Sequence, residues 1–178
     1  PLMRSRAKAV NFGIVYGIGA YSLSQDLSVS VAEASRLIKS YLASYSGVAE
    51  YMDKIISEGE KTGYVRTLYN RIREIPELKN KNKVIHALGE RIAKNTPIQG
   101  TAADIIKIAM IRVYDKLKAE FPKAKLIMQV HDEVVIDALN SELDKVKRIV
   151  KESMESVATL RVPLIAEVNN APTWLDAH

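Results

Sequence analysis

Arg4, Lys8, Phe12 and Tyr16 recur at intervals of four residues near the start of a 178-residue chain. Four helical residues turn about 400°, so on a helix these side chains drift by about 40° per step and form one slanted stripe. At about 1.5 Å rise per residue the stripe is roughly 18 Å long, comparable to an extended nucleoside triphosphate. Two cations lie toward one end and two aromatic rings toward the other, which suits a ligand with a polyanionic end and a stackable base. Lys meets phosphate as a mobile point charge and Arg forks two oxygens, so together they can neutralise charge as pyrophosphate departs. The same spacing also fits an ordinary amphipathic helix with a basic face and with Phe12 and Tyr16 in the core.

A second candidate is the stretch Gln129-Val130-His131-Asp132-Glu133-Val134-Val135. Successive strand residues face opposite ways, so only one of the adjacent carboxylates readily faces a given site. An Asp at a hairpin tip suits Mg²⁺, a hard ion that takes oxygen ligands and keeps waters and substrate phosphates in its shell. It equally suits a solvated turn, where Asp is common. His131 is no zinc ligand on this reading, because the remaining histidines are His86 and His178 and there is no Cys to complete a tetrahedral set.

These residues need elements to position them. Residues 3 to 16 are helix-compatible, with Gly17 and Gly19 as the stop, and a short helix follows around Ser22 to Leu27. Ser30 stands three residues before Glu33, a capping box opening a helix to about Tyr45. Gly47 is expected to separate that helix from another, which Gly63 ends. Tyr64 to Tyr69 reads as a short strand and Lys79 to Lys83 as a surface connection or helix start. Val84 to about Asn95 is helical, and a long helix follows Pro97 to about Glu120. Lys125 to Val130 and Val134 to Ala138 then read as a β-hairpin, Ser141 to Val157 as a helix, and Arg161 to Val168 as a final strand. Trp174 is expected to anchor the terminus. Helices in the first two thirds and mixed elements in the last third give an α+β class.

Composition narrows the functional classes. A hydrophobic content of 47% excludes a disordered tail. The net charge of +5 fits a polyanionic partner, and the absence of Cys removes thiol chemistry and suits a reducing cytosol. No run approaches the roughly 18 apolar residues of a membrane span. The chain opens on Pro1-Leu2-Met3 with no signal-peptide pattern and no initiating Met, so the expectation is a piece of something longer.

The whole string Arg4-Ser5-Arg6-Ala7-Lys8-Ala9-Val10-Asn11-Phe12-Gly13-Ile14-Val15-Tyr16-Gly17 resembles the fingers-helix motif of family A DNA polymerases. The His131-Asp132-Glu133 segment resembles the palm motif of the same family. The resemblance spans nearly all of the chain. It implies that Arg4 and Lys8 contact the incoming triphosphate, that Phe12 packs on its sugar, and that Tyr16 sits by the nascent base pair. It further implies Asp132 as a catalytic metal ligand, Glu133 as its support and His131 near the primer terminus.

The segment Glu90 to Asp104, with Arg91, Asn95 and Gln99, also resembles a family element. Watson-Crick pairs present minor-groove acceptors at nearly equivalent positions, so Asn95 and Gln99 can check pair shape without reading sequence. Capping of helices around Pro97 is the competing reading. Thr67 to Pro76 resembles the family's basic turn, with Asn70 where Gly is usual and Ile72 where a middle Arg is usual. Arg71 and Arg73 remain candidate DNA-backbone contacts.

The resemblance implies DNA-templated addition of deoxynucleoside monophosphates to a primer 3′ end, with Mg²⁺ as cofactor. Primer-template DNA and deoxynucleoside triphosphates are the implied partners, and the cytoplasm, with the nucleoid, the implied location. Residues 1 to 95 are expected to form the fingers and 96 to 178 the carboxy-terminal half of the palm. Two-metal nucleotidyl transfer needs a second carboxylate. In the family it precedes the fingers helix, and no Asp occurs here before Asp26. The chain alone, without the amino-terminal palm and the thumb, is therefore expected to be inactive. A non-catalytic nucleic-acid-binding module is the alternative, and an Asp-bearing palm strand upstream in the reading frame, followed by the fingers helix, would support the enzyme instead. A helical protein-interaction domain is a third possibility, disfavoured by the chemistry of the Arg4 to Tyr16 stripe.

Overall fold

A computed structural model describes residues 2–177. In chain order it contains helices α1 (Leu2–Val15), α2 (Ala20–Leu27), α3 (Val31–Ser44) and α4 (Ser46–Thr62), then a hairpin of β1 (Tyr64–Arg66) and β2 (Ile72–Glu74). Helix α5 (Lys83–Glu120), a second hairpin of β3 (Lys125–Val130) and β4 (Glu133–Asp137), and helix α6 (Leu143–Glu155) follow. Both sheets are two-stranded and antiparallel, and the α+β class holds. The chain divides into two compact units, Pro1–Thr101 and Ala102–His178.

In the first unit, local signals act as their chemistry predicts. The Glu33 amide donates to Ser30 Oγ at 3.1 Å, capping α3. Gly63 ends α4 in the left-handed region at φ 84°. One apolar cluster joins Leu23 and Leu27 of α2 to Ala34 of α3, with Ala9 and Val10 of α1 and Ile38 packed against it. Another gathers Val65, Ile75, Leu78 and Ala93 under the first hairpin, with Ile55 of α4 beside it.

In the second unit the core is Val113 and Leu117 of α5, Ala124, and Val146, Ile149 and Val150 of α6. Leu126, Val134 and Ile136 of the hairpin pack on it. The β3 residues alternate between exposed and half-buried, the period of a sheet with one face covered.

Five expectations require correction. Gly47 separates nothing. It lies inside the first turn of α4, and the break falls at Tyr45, whose amide donates to Tyr41 O and whose carbonyl accepts from Val48. One residue thus caps both helices. Pro97 does not break α5, which runs unbroken for 38 residues. An interior Pro costs about 3 kcal/mol through its missing N–H and its clash with the preceding turn. Here Ala93 and Thr96 are buried around it, the Thr96 hydroxyl donates to Ile92 O at 2.7 Å, and tertiary packing outweighs that penalty.

The stretch after Tyr69, expected only as part of a basic turn, supplies β2, whose register with β1 runs from Tyr64 opposite Glu74 to Arg66 opposite Ile72. Arg161 to Val168 form no strand. The Ala166 amide donates to Glu155 Oε1 at 3.1 Å and Lys151 Nζ donates to Ala166 O at 2.7 Å. A side-chain pair on α6 takes the backbone groups that a neighbouring strand would take. Trp174 keeps 44% of its surface exposed, so it is only half docked.

Candidate functional site

Helix α1 is anchored by the face that carries Ile14, which is 3% exposed. Its other side carries the stripe. Arg4 and Lys8 are exposed, and Phe12 and Tyr16 retain 47% and 39% of their surface. Lys8 Nζ stands 5.7 Å from the Phe12 ring centroid, and the Phe12 and Tyr16 centroids are 6.1 Å apart. The two rings therefore form a surface platform rather than core, with a cation at its edge. Three charged or aromatic groups in contact along one line can meet phosphate, sugar and base in succession.

The end of α1 is closed by a Schellman motif. The Ile18 amide donates to Gly13 O at 2.8 Å and the Gly17 amide to Ile14 O at 2.9 Å. Gly17 has φ 75°, a conformation costly for any residue with a Cβ. A Cβ there would also come within 3.3 Å of Arg91 Cγ, so the turn after Tyr16 lies directly against α5.

Arg91, Asn95 and Gln99 follow the same four-residue spacing on α5. Arg91 and Gln99 are exposed and Asn95 is half-buried. Asn95 Oδ1 is sealed from solvent and has no hydrogen-bond partner in the protein. Such an acceptor is rare, because a buried polar atom without a partner is costly.

The first hairpin's turn is held near the same stretch of α5. Thr67 Oγ1 accepts from the Tyr69 and Arg71 amides at 3.3 and 3.1 Å, and Asn70 takes φ 62°. Asn is among the few residues that tolerate this region. The Leu68 amide donates to Thr101 Oγ1 at 2.9 Å, and a Cβ on Gly100 would lie 2.6 Å from Thr67 Cγ2. The turn thus packs against α5 backbone, with Arg71 and Arg73 exposed on its surface. Thr67 and Thr101 were not singled out in the sequence. A Thr flanking a basic turn and one following Gln-Gly were the available signals.

In the second unit, His131 and Asp132 form the two-residue loop between β3 and β4. His131 has φ 54°, the positive value at the first loop position that hairpin twist favours. Gln129 Nε2 donates to His131 O, which fixes the tip from below. Asp132 is exposed, while Glu133 is half-buried and faces Val130 in the register. Among the described residues, no group of three or more carboxylate, histidine or cysteine side chains is arranged to hold a metal ion. The tip fits one oxygen ligand of Mg²⁺, which is bound through one or two carboxylates plus phosphates and water. It does not by itself fit a pair of ions.

Residues 1–176 match the family model for DNA polymerase family A. The chain belongs to DNA polymerase family A. DNA polymerase I of Caldicellulosiruptor bescii is 49% identical over 176 residues, which cover 99% of this chain and 21% of that relative. The thermostable DNA polymerase I of Thermus aquaticus is 42% identical over 177 residues, again 99% of this chain and 21% of the relative. Among solved structures, the POL domain of Pol1 from M. smegmatis, in complex with DNA primer-template and dNTP, is 37% identical with a TM-score of 0.95. That similarity covers 99% of this chain and 31% of the other. This family A chain therefore spans about one fifth of the length of its curated relatives. No helix among its described residues is long and apolar enough to cross a membrane.

Proposed function

We propose that the parent of this chain synthesises DNA on a template, joining deoxynucleoside monophosphates to a primer 3′ end, and that this chain supplies its nucleotide-gripping helix and one metal-binding carboxylate. The observation that carries the reading is the exposed line of Lys8, Phe12 and Tyr16 on α1 in a member of DNA polymerase family A. Residues 1 to 95 act as fingers and 96 to 178 as the carboxy-terminal half of the palm. The partners are primer-template DNA and deoxynucleoside triphosphates in the bacterial cytoplasm.

Arg4 and Lys8 hold the triphosphate and offset charge on the departing pyrophosphate. Phe12 packs against the sugar and Tyr16 against the base pair. Arg91, Asn95 and Gln99 meet the minor-groove side of the new pair, with Arg71 and Arg73 on the DNA backbone and His131 near the primer end. Asp132 is the residue that holds Mg²⁺, with Glu133 in support. When bound, the ions lower the pKa of the primer hydroxyl and stabilise the leaving phosphates. A second carboxylate is needed for that pair, and it belongs to the parent rather than to this chain.

Lys8→Ala in the full-length parent should lower the efficiency of nucleotide incorporation by on the order of a hundredfold, the usual cost of removing one preorganised charge-stabilising donor. Unchanged steady-state incorporation would overturn the assignment. The purified 178-residue chain should extend no primer, and measurable extension would contradict the missing-carboxylate argument.

A further inference from the structure

The stripe works only if α1 keeps its roll about its own axis. Side-chain ends lie about 5–6 Å from a helix axis, so a 30° roll displaces them by about 3 Å. Such a shift exceeds the tolerance of a positioned reacting group, for which about 1 Å can cost a hundredfold. Apart from Ile14, the apolar contacts of α1 fix its depth better than its roll. Ala9 and Val10 are small, and hydrophobic contact has no directional preference. Behind the helix's last residue, Val15, lies a cavity of about 280 Å³, lined also by Val48, Tyr51, Met52, Lys94 and Ile98. The end nearest Tyr16 is held by the buried Ile14 and by the turn at Gly17 against α5, and is open on the Val15 side.

One directional contact remains. Tyr41 Oη, on α3, donates to Asn11 Oδ1 at 2.5 Å across thirty residues of sequence. Among the described residues it is the one side-chain to side-chain hydrogen bond from α1 to another helix. The Tyr41 ring is braced in turn by Tyr45, with centroids 4.8 Å apart. Asn11 precedes Phe12 directly and lies one helical turn beyond Lys8, so a fixed Asn11 fixes the azimuth of both.

We infer that Asn11 and Tyr41 are positioning residues for nucleotide binding: their hydrogen bond sets the roll of α1 and so the aim of Arg4, Lys8 and Phe12. This rests on the polymerase reading of the stripe. Neither residue touches the nucleotide in this role, and both act through the side chains they orient. Loss of the bond lets α1 sample rolled states that present the cations wrongly, which weakens triphosphate binding more than turnover of the correctly bound fraction.

The test measures KM for a deoxynucleoside triphosphate, kcat and melting temperature in the full-length parent. Tyr41→Phe and Asn11→Leu should each raise KM about tenfold, the scale of one directional hydrogen bond, and change kcat less than threefold. Their double variant should be no worse than either single, since both remove the same bond. Asn11→Asp, which keeps the acceptor, should restore KM to within about threefold of the unmodified enzyme. A KM within twofold for Tyr41→Phe, or a melting temperature that falls while KM stays constant, overturns the inference. Lys8→Ala separates the two claims. If it has no effect, the polymerase reading of the stripe fails, and if it impairs incorporation while Tyr41→Phe does not, only the positioning role fails.

Discussion

Asn95→Leu should make the chain more stable and the polymerase worse. Asn95 Oδ1 is buried within the first unit and accepts no hydrogen bond from the protein. An unsatisfied buried acceptor carries a desolvation cost of about 1–3 kcal/mol. Leu has the same number of side-chain heavy atoms and the same branching at Cγ, so it removes the polar atom without opening a cavity. Its higher helix propensity at an interior position of α5 adds a few tenths of a kcal/mol, roughly. Against this stands the loss of whatever solvent contact the amide nitrogen makes, which leaves a net gain of about 1–2 kcal/mol. For a chain of this size each kcal/mol moves the melting temperature by about 2–4 °C, so an increase of roughly 2–8 °C is expected. Circular dichroism melts of the two chains at equal concentration would measure it. The same substitution in the parent should reduce primer extension, because it also removes the Asn95 Nδ2 donor proposed to meet a minor-groove acceptor. A melting temperature equal to or below that of the unmodified chain would refute the energetic argument. A rise in stability with undiminished extension would refute the DNA role of Asn95.

Leu117 is 2% exposed at the centre of the second unit's core, and Leu117→Ala should cost about 2–5 kcal/mol, read as a lower urea midpoint. Glu155 titrates below the usual carboxylate range because Lys151 and the Ala166 amide both bond it. A depressed carboxylate contributes stability above its unfolded pKa, so the docking of residues 161–168 should be full at neutral pH and fade as pH falls through that lowered value. The Ala166 amide shift followed by NMR should move through the acid window, and Glu155→Ala should abolish the movement.

What was legible in the sequence was what neighbours within a turn decide. The Ser30 cap, the stop at Gly17 and Gly63, the His131-Asp132 tip and the α1 stripe all depend on contacts a few residues apart, and each is present. Pro97 misled because its penalty is local while its compensation is not: the buried Ala93 and Thr96 around it belong to a packed core that no window of sequence displays. Gly47 misled for the opposite reason, since Tyr45 alone closes α3 and opens α4. Residues 161–168 have strand composition, yet a strand needs a partner ladder, and here Lys151 and Glu155 take its place at Ala166. The Asn11–Tyr41 bond was invisible because nothing in either residue's surroundings announces a partner thirty positions away.

Several of the residues proposed for function, each within its own unit, stand in conformations or surroundings that an ordinary core or turn would not choose. Phe12 and Tyr16 hold large apolar rings in solvent, Asn95 keeps an acceptor without a partner, Gly17 and His131 sit at positive φ, and Asp132 faces outward from a tip held by Gln129. Each is affordable because stabilisation comes from elsewhere, from small apolar clusters that contain none of these residues. A purely structural account leaves these departures unrelated to one another. Within the first unit, a ligand that stacks on Phe12 and Tyr16 would cover the exposed rings. Exposed rings beside a cation are what a ligand with a stackable base and a polyanionic end requires, and that is the physical argument for reading the α1 stripe as a binding surface rather than as core left uncovered.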